Sequence, residues 1–163
     1  MTDETALIQQ VFQQYADAFQ GLKPAKVLPF FHFPAMLISP EKAAVIGNPI
    51  LGYFGFKKAM KGLKRRGFTR SEAESLSVQQ LSDNMAIVTG LVVRYKKCKG
   101  DRKETFLECF NLTYTMRKVN SSWKIVVGVL TETTYPPVQD AKASESRAAN
   151  IKPSYDLPLV KED

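Results

Sequence analysis

At 163 residues the chain suggests one domain with a short extra segment, and a 44 % hydrophobic share is enough to build a sizeable core. Lys and Arg outnumber Asp and Glu by 23 to 16, a formal charge of +7 that could attract nucleic acid, anionic lipid or an acidic partner but selects none of them. No apolar run approaches the roughly 20 residues of a membrane span, and the acidic start MTDETALIQQ lacks the regions of a secretory signal, so a cytoplasmic protein without a membrane partner is expected.

Residues 3–22 read as a first helix, because Leu7, Ile8, Val11, Phe12, Tyr15, Phe19 and Leu22 recur at helical steps along one face. Asp3 and Glu4 suit the positive end of its dipole, and Gly21 marks its end. Pro24 fits the first turn of a short second helix over 24–32, which Pro34 closes. AMLIS (35–39) and AAVIG (43–47) are short strand candidates around PEK. Asn48 and Pro49 make a cap followed by proline, opening a third helix over 49–66 that stops at Gly67. Beyond Gly67 the period changes to two. AESLSVQQLS (73–82), MAIVTGLVVRYKKC (85–98), ETFLECFNLTYTMRKV (104–119) and SWKIVVGVLTETT (122–134) read as strands, separated by the turn clusters SDN, KGDR and NSS. From Pro136 onward the chain is small and polar, which predicts a domain over 1–135 and a flexible tail over 136–163.

Three helices followed by long antiparallel strands give an α+β fold. Strands of this length must twist and curl. The expected architecture is a cone-shaped, curved antiparallel sheet with the three helices on its concave face and a cavity between them for a small ligand. The outer face is expected to carry Val88, Val92 and Ile125 or Val126, too apolar for open water, which predicts a homodimer through the sheet. With Gly100-Asp101 as a hairpin tip, Cys98 and Cys109 fall several residues out of register, so both are expected to be free thiols.

The stretches FQQYADAFQGLKPAKVLPFFHFPAMLISP and FNLTYTMRKVNSSWKIVVGVL resemble the opening helices and strand entry, and the paired final strands, of the nuclear transport factor 2-like superfamily, over about residues 5–134. That superfamily includes ketosteroid isomerase, scytalone dehydratase and the SnoaL-like polyketide cyclases, and the FHFP…TYT version looks like one of its branches without a known activity. Ketosteroid isomerase uses a tyrosine on the first helix, an aspartate before a proline as base, and a protonated acid on a later strand. Tyr15 matches the first. Ser39-Pro40 stands at the second, where serine cannot serve as the base, and Asn111 and Thr113 stand near the third. The resemblance therefore implies the fold but disfavours isomerase chemistry by that route.

His32, the only histidine, is a candidate general base, and its simpler reading is a packed side chain donating to a backbone carbonyl. It is expected to be mostly buried and to border the pocket. Glu108 is the second catalytic candidate. It lies on an otherwise apolar strand face with Phe106, Phe110, Leu112, Tyr114 and Met116, and its simpler reading is a strand-end carboxylate paired with a lysine or arginine. Tyr15, Phe19, Phe31, Tyr53, Phe54, Phe110 and Tyr114 are candidate pocket walls beside these two, or simply core. One histidine and two misaligned cysteines leave a zinc site short of ligands, and no phosphate-cradling loop, nucleophilic triad or dinucleotide fingerprint is present, so no metal and no cofactor is expected. FKKAMKGLKRRGFTR gathers seven cations without an acid. It lacks exposed aromatics for base stacking, so it reads as a solvated helix face and nucleic acid is not an expected partner. The expected function is binding of a small, mostly apolar ligand in the cone. The alternatives are a lyase or isomerase of the polyketide-cyclase kind and a protein-interaction module.

Overall fold

The computed structural model describes residues 3–133. Three helices, α1 (Asp3–Gln20), α2 (Pro24–Val27) and α3 (Pro49–Arg65), are joined to six strands, β1 (Phe31–Ile38), β2 (Ala43–Ile46), β3 (Phe68–Ser82), β4 (Met85–Lys96), β5 (Thr105–Val119) and β6 (Ser122–Thr131). The apolar face of α1 buries Ile8, Phe12 and Tyr15. At the start of α3 the Asn48 side chain accepts the Leu51 N–H at 3.0 Å, and Pro49 occupies the first turn, where its missing donor costs nothing. No described helix is long and apolar enough to cross a membrane.

The strands form one sheet in the order β2-β1-β6-β5-β4-β3. Every neighbouring pair is antiparallel except β1 and β6, which run parallel with Phe31 beside Ile125. The fold is thus the expected α+β cone, with one parallel pair between the first and last strands. The core lies between the helices and the concave face, with Trp123, Phe12, Met116 and Ile125 among its most buried members. Gly128 sits where a Cβ would lie 2.8 Å from Leu37 and 2.9 Å from the Tyr114 ring, so its lack of a side chain gives that ring its place.

Two local expectations are corrected. The second helix does not reach residue 32: after one turn of α2 the chain tightens into a 3-10 turn, Leu28–Phe30, around Pro29, and Phe31 already opens β1. Proline cannot supply the donor that a continuing α-helix needs. The outward face is also different. Val88, Val92 and Ile125 face the core, whereas Met36, Ile87 and Val127 lie on the other side of the sheet. Strand β4 is apolar on both faces (Ile87, Val88, Leu91, Val92), so hydrophobicity alone does not fix which set points inward. Cys98 is exposed and Cys109 buried, and both are free. The predicted tail over 136–163 lies outside the described residues.

Candidate functional site

The concave face of β4 and β5 meets the C-terminal half of α1 in a cleft that is partly open to solvent. Phe12, Tyr15, Ala16 and Phe19 come from α1, Ser71, Glu72 and Ala73 from β3, and Val92, Arg94, Phe110, Leu112 and Tyr114 from the two inner strands. The empty space is about 400 Å³ counting its open side, but the space open to the centre of a water molecule is only about 40 Å³. Aromatic packing accounts for this narrowness. The Tyr15 ring touches Phe12, Phe30, Phe31 and Tyr114 at centroid distances of 5.9, 5.9, 5.9 and 5.5 Å. Gln20 fixes the rim. Its amide donates to the Ser71 carbonyl at 2.6 Å and accepts the Ser71 N–H at 2.8 Å, so the end of α1 pairs with β3 much as a strand would.

At the inner wall, the Tyr15 and Tyr114 hydroxyls are 2.8 Å apart and both residues are buried. Burial pushes the Tyr15 hydroxyl well above the ordinary phenol range, and Tyr114 beside it adds to the effect. Burial likewise raises Tyr114. Both are therefore neutral phenols at neutral pH, able to donate hydrogen bonds but not to act as phenolate bases. Two hydroxyls carry two protons, and the contact between them uses one.

Beside the tyrosines stands an ionic cluster. Glu108 is 1 % exposed, with Oε1 accepting from Arg94 Nη1 at 2.7 Å and Oε2 lying 2.7 Å from Arg66 Nη1 as an ion pair outside hydrogen-bond geometry. Arg94 is the cross-strand neighbour of Glu108, which puts both on the concave face. Its guanidinium lies over the Phe110 and Phe19 rings, 4.7 and 5.2 Å from their centroids. Arg94 Nε is buried without a hydrogen-bond partner among the described residues. The cluster holds two cations and one carboxylate. A carboxylate held between two arginines suits a structural anchor better than a proton shuttle.

Of the nine residues named from the sequence, Tyr15, Phe19, Phe110 and Tyr114 line the cleft. Glu108 adjoins it through Arg94. Phe31 is core, packed on Phe56 at 5.2 Å. His32 is half-buried on β1, beside a Phe31 that points inward, and is not part of the cleft wall. The early end of the helical segment moves it from the expected cone mouth onto the strand. Tyr53 and Phe54 are 36 % and 60 % exposed on α3, away from the cleft. Among the described residues no three His, Cys, Asp or Glu side chains converge as a metal site. Phe12, Arg94 and Arg66 were not singled out from the sequence as site residues. Cross-strand pairing with Glu108 would be the signal for Arg94, but a register shift next to Arg94 displaces the count made from the hairpin tip.

A family model described as NTF2-like protein (DUF6841) matches residues 3–133. No curated protein matches the chain in sequence. An NTF2-like protein with a cystatin-like fold from Novosphingobium aromaticivorans superposes with a TM-score of 0.66 at 10 % identity, covering 86 % of this chain and 86 % of that one. A ketosteroid isomerase-like protein from Erwinia carotovora atroseptica gives 0.60 at 17 % identity, over 82 % of this chain and 99 % of that one. An NTF2-like protein of unknown function from Shewanella oneidensis gives 0.58 at 14 % identity, over 79 % and 99 %. At such identities the likeness is one of fold.

Proposed function

This chain belongs to the NTF2-like proteins of the DUF6841 family, and we propose that it uses the cone to bind a small, mostly apolar molecule bearing one hydrogen-bond acceptor, without chemical conversion. The observation carrying this reading is the Tyr15–Tyr114 hydroxyl pair at the inner end of an apolar cleft that is open to solvent. The spare hydroxyl proton and the unpartnered Arg94 Nε are donors that a bound acceptor would satisfy. An apolar cavity of about 150 Å³ holds a benzene ring, and the enclosed space here is only about 40 Å³, so a ring would enter the cleft at one edge with most of the ligand outside. Catalysis is the weaker reading because the neutral phenols are poor bases, Glu108 is held by two arginines and His32 lies outside the wall.

The test is a titration with single-ring aromatic ketones and carboxylic acids, followed by protein-observed NMR. Tyr114→Phe should weaken the best binder about five- to tenfold, the loss of one hydrogen bond, while leaving the fold intact. Binding that is equal in wild type and Tyr114→Phe, or no binder at millimolar concentration, would remove the cleft from consideration.

Assembly as a homodimer is part of the proposal. Val45, Met36, Val127, Thr115 and Ile87 are successive register partners and make a largely apolar stripe across the outer face, with Met36 36 % and Val45 54 % exposed. Sedimentation should find a dimer at micromolar concentration. The free thiols Cys98 and Cys109 support a reducing, cytoplasmic setting.

A further inference from the structure

Helix α3 divides its length as well as its faces. Gly52, Gly55, Phe56, Met60, Gly62 and Leu63 are buried. On the solvent side, the first half presents Ile50, Leu51, Tyr53 and Phe54, at 69, 38, 36 and 60 % exposure. The second half presents Lys57, Lys58, Lys61, Lys64 and Arg65, all exposed. At 3.6 residues per turn these side chains fall within one arc of about 160°. No residue of the helix is acidic. Ile50 and Phe54 are the most exposed large apolar residues described in the chain. Leaving them in water next to uncompensated lysines is costly for a face with no partner. The exposed aromatics Tyr53 and Phe54 precede the basic segment 56–70, whose own Phe56 is buried and Phe68 partly buried.

We propose that this face docks the protein on an anionic lipid surface, with Ile50 and Phe54 entering the headgroup–acyl boundary and the five cations meeting lipid phosphates and carboxylates. Charge complementarity selects an anionic partner, and the +7 formal charge of the whole chain favours approach to one. The apolar end selects lipid over nucleic acid. Ile50 and Leu51 are aliphatic and offer no ring for base stacking, whereas a bilayer takes up aliphatic and aromatic side chains alike. Because the apolar residues occupy one end only, the helix would sit tilted, its N-terminal turn lower. Such binding is peripheral. It departs from the expectation of no membrane partner, which rested on the absence of a spanning segment.

The experiment is co-sedimentation of the full chain with vesicles of phosphatidylcholine alone and of phosphatidylcholine with one third phosphatidylserine. Binding is expected only to the anionic vesicles and should fall with added salt. The triple variant Lys57→Glu, Lys61→Glu, Lys64→Glu should lose about a hundredfold or more in partitioning, from roughly fivefold per neutralised cation, with an unchanged melting temperature. In Phe54→Trp, whose new indole reports its own surroundings, the emission should move to shorter wavelength on anionic vesicles. Absence of binding to the anionic vesicles, indifference to the triple change, or an unmoved Phe54→Trp emission would each overturn the proposal. So would tighter binding to a single-stranded oligonucleotide than to the vesicles, or saturation by a second copy of the chain at this face.

Discussion

The two ends of β5 each carry an ion pair, built in opposite ways. At one end the carboxylate belongs to the strand: Glu108 is 1 % exposed, and Arg94 and Arg66 come to it from β4 and from the residue that ends α3. At the other end the cation belongs to the strand. Lys118 meets Glu4 of α1 at 2.7 Å, and the indole of Trp123 donates to the same carboxylate at 2.9 Å, with the Glu4 side chain 36 % exposed. Both carboxylates have two partners. What differs is water. Burial makes the Glu108 arrangement expensive to disturb, while the Glu4 arrangement can be replaced by solvent at small cost. The cleft lies at the guarded end, where a rigid charged wall holds Arg94 against Phe19 and Phe110.

The largest test of that contrast is Arg94→Met. It leaves Glu108 buried with the off-angle Arg66 contact as its remaining arginine. The expected loss is about 3–5 kcal/mol, a fall in melting temperature of roughly 10 °C or more. Adding Glu108→Leu to it should restore most of the loss, since a buried ion pair exchanged for apolar side chains is often neutral. A single variant that melts with wild type would mean that water reaches Glu108, and the two ends of β5 would not differ.

Much of this was legible in the sequence, and the parts that were not have physical reasons. The change from helical to alternating period at Gly67 located the sheet, and β4 to β6 begin within one residue of their expected starts. The apolar alternation of Phe110, Leu112 and Tyr114 put them on one face of β5 with Glu108, and the structure makes that face the concave one. The partner of Glu108 was hidden by register. Counting from a Gly100-Asp101 tip set Cys109 opposite Val92, but a bulge near Tyr95 moves the ladder by one residue, so Cys109 faces Val93 and Glu108 faces Arg94. Arg66 was hidden by composition. It lies in a run of exposed cations, yet the end of the helix turns it inward. The extent of the second helix depended on Pro29, whose effect is to tighten the turn and start β1 early.

A middle-sized effect concerns Cys109, next to Glu108 on the opposite face of β5. Burial pushes its thiol up to about 11, and the nearby charges of Glu108 and Glu74 add to this. A raised folded-state value means that its contribution is complete below the unfolded value and is lost as pH rises through the folded one. The window runs from about 9 to about 11. In that window the folded protein should lose stability, and Cys109→Ala should lose less of it. At pH 8 the exposed Cys98 should be alkylated readily while Cys109 stays unmodified until the fold opens. Equal labelling of the two thiols would show that the Glu108 end is not closed to water.

The smallest effect belongs to Glu4. Hydrogen bonds from Lys118 and then Trp123 hold its carboxyl below the ordinary carboxylate range. A lowered folded-state value contributes stability above the unfolded value and loses it as pH falls through the folded one. Wild type should therefore be slightly more stable than Glu4→Gln at neutral pH. The gap should close on acidification through the ordinary carboxylate range and below it. Salt should narrow the gap as well, because the pair is partly exposed and screened, which would not be expected of the more deeply buried Arg94–Glu108 pair. Glutamine retains an oxygen that can accept from the Trp123 indole, so the variant isolates the charge from the hydrogen bond. Chemical denaturation of both proteins across pH and ionic strength provides the measurement. A Glu4→Gln loss as large as that of Arg94→Met, or one insensitive to salt, would place a second buried ionic anchor at the α1 end of the sheet and erase the distinction between the two ends of β5.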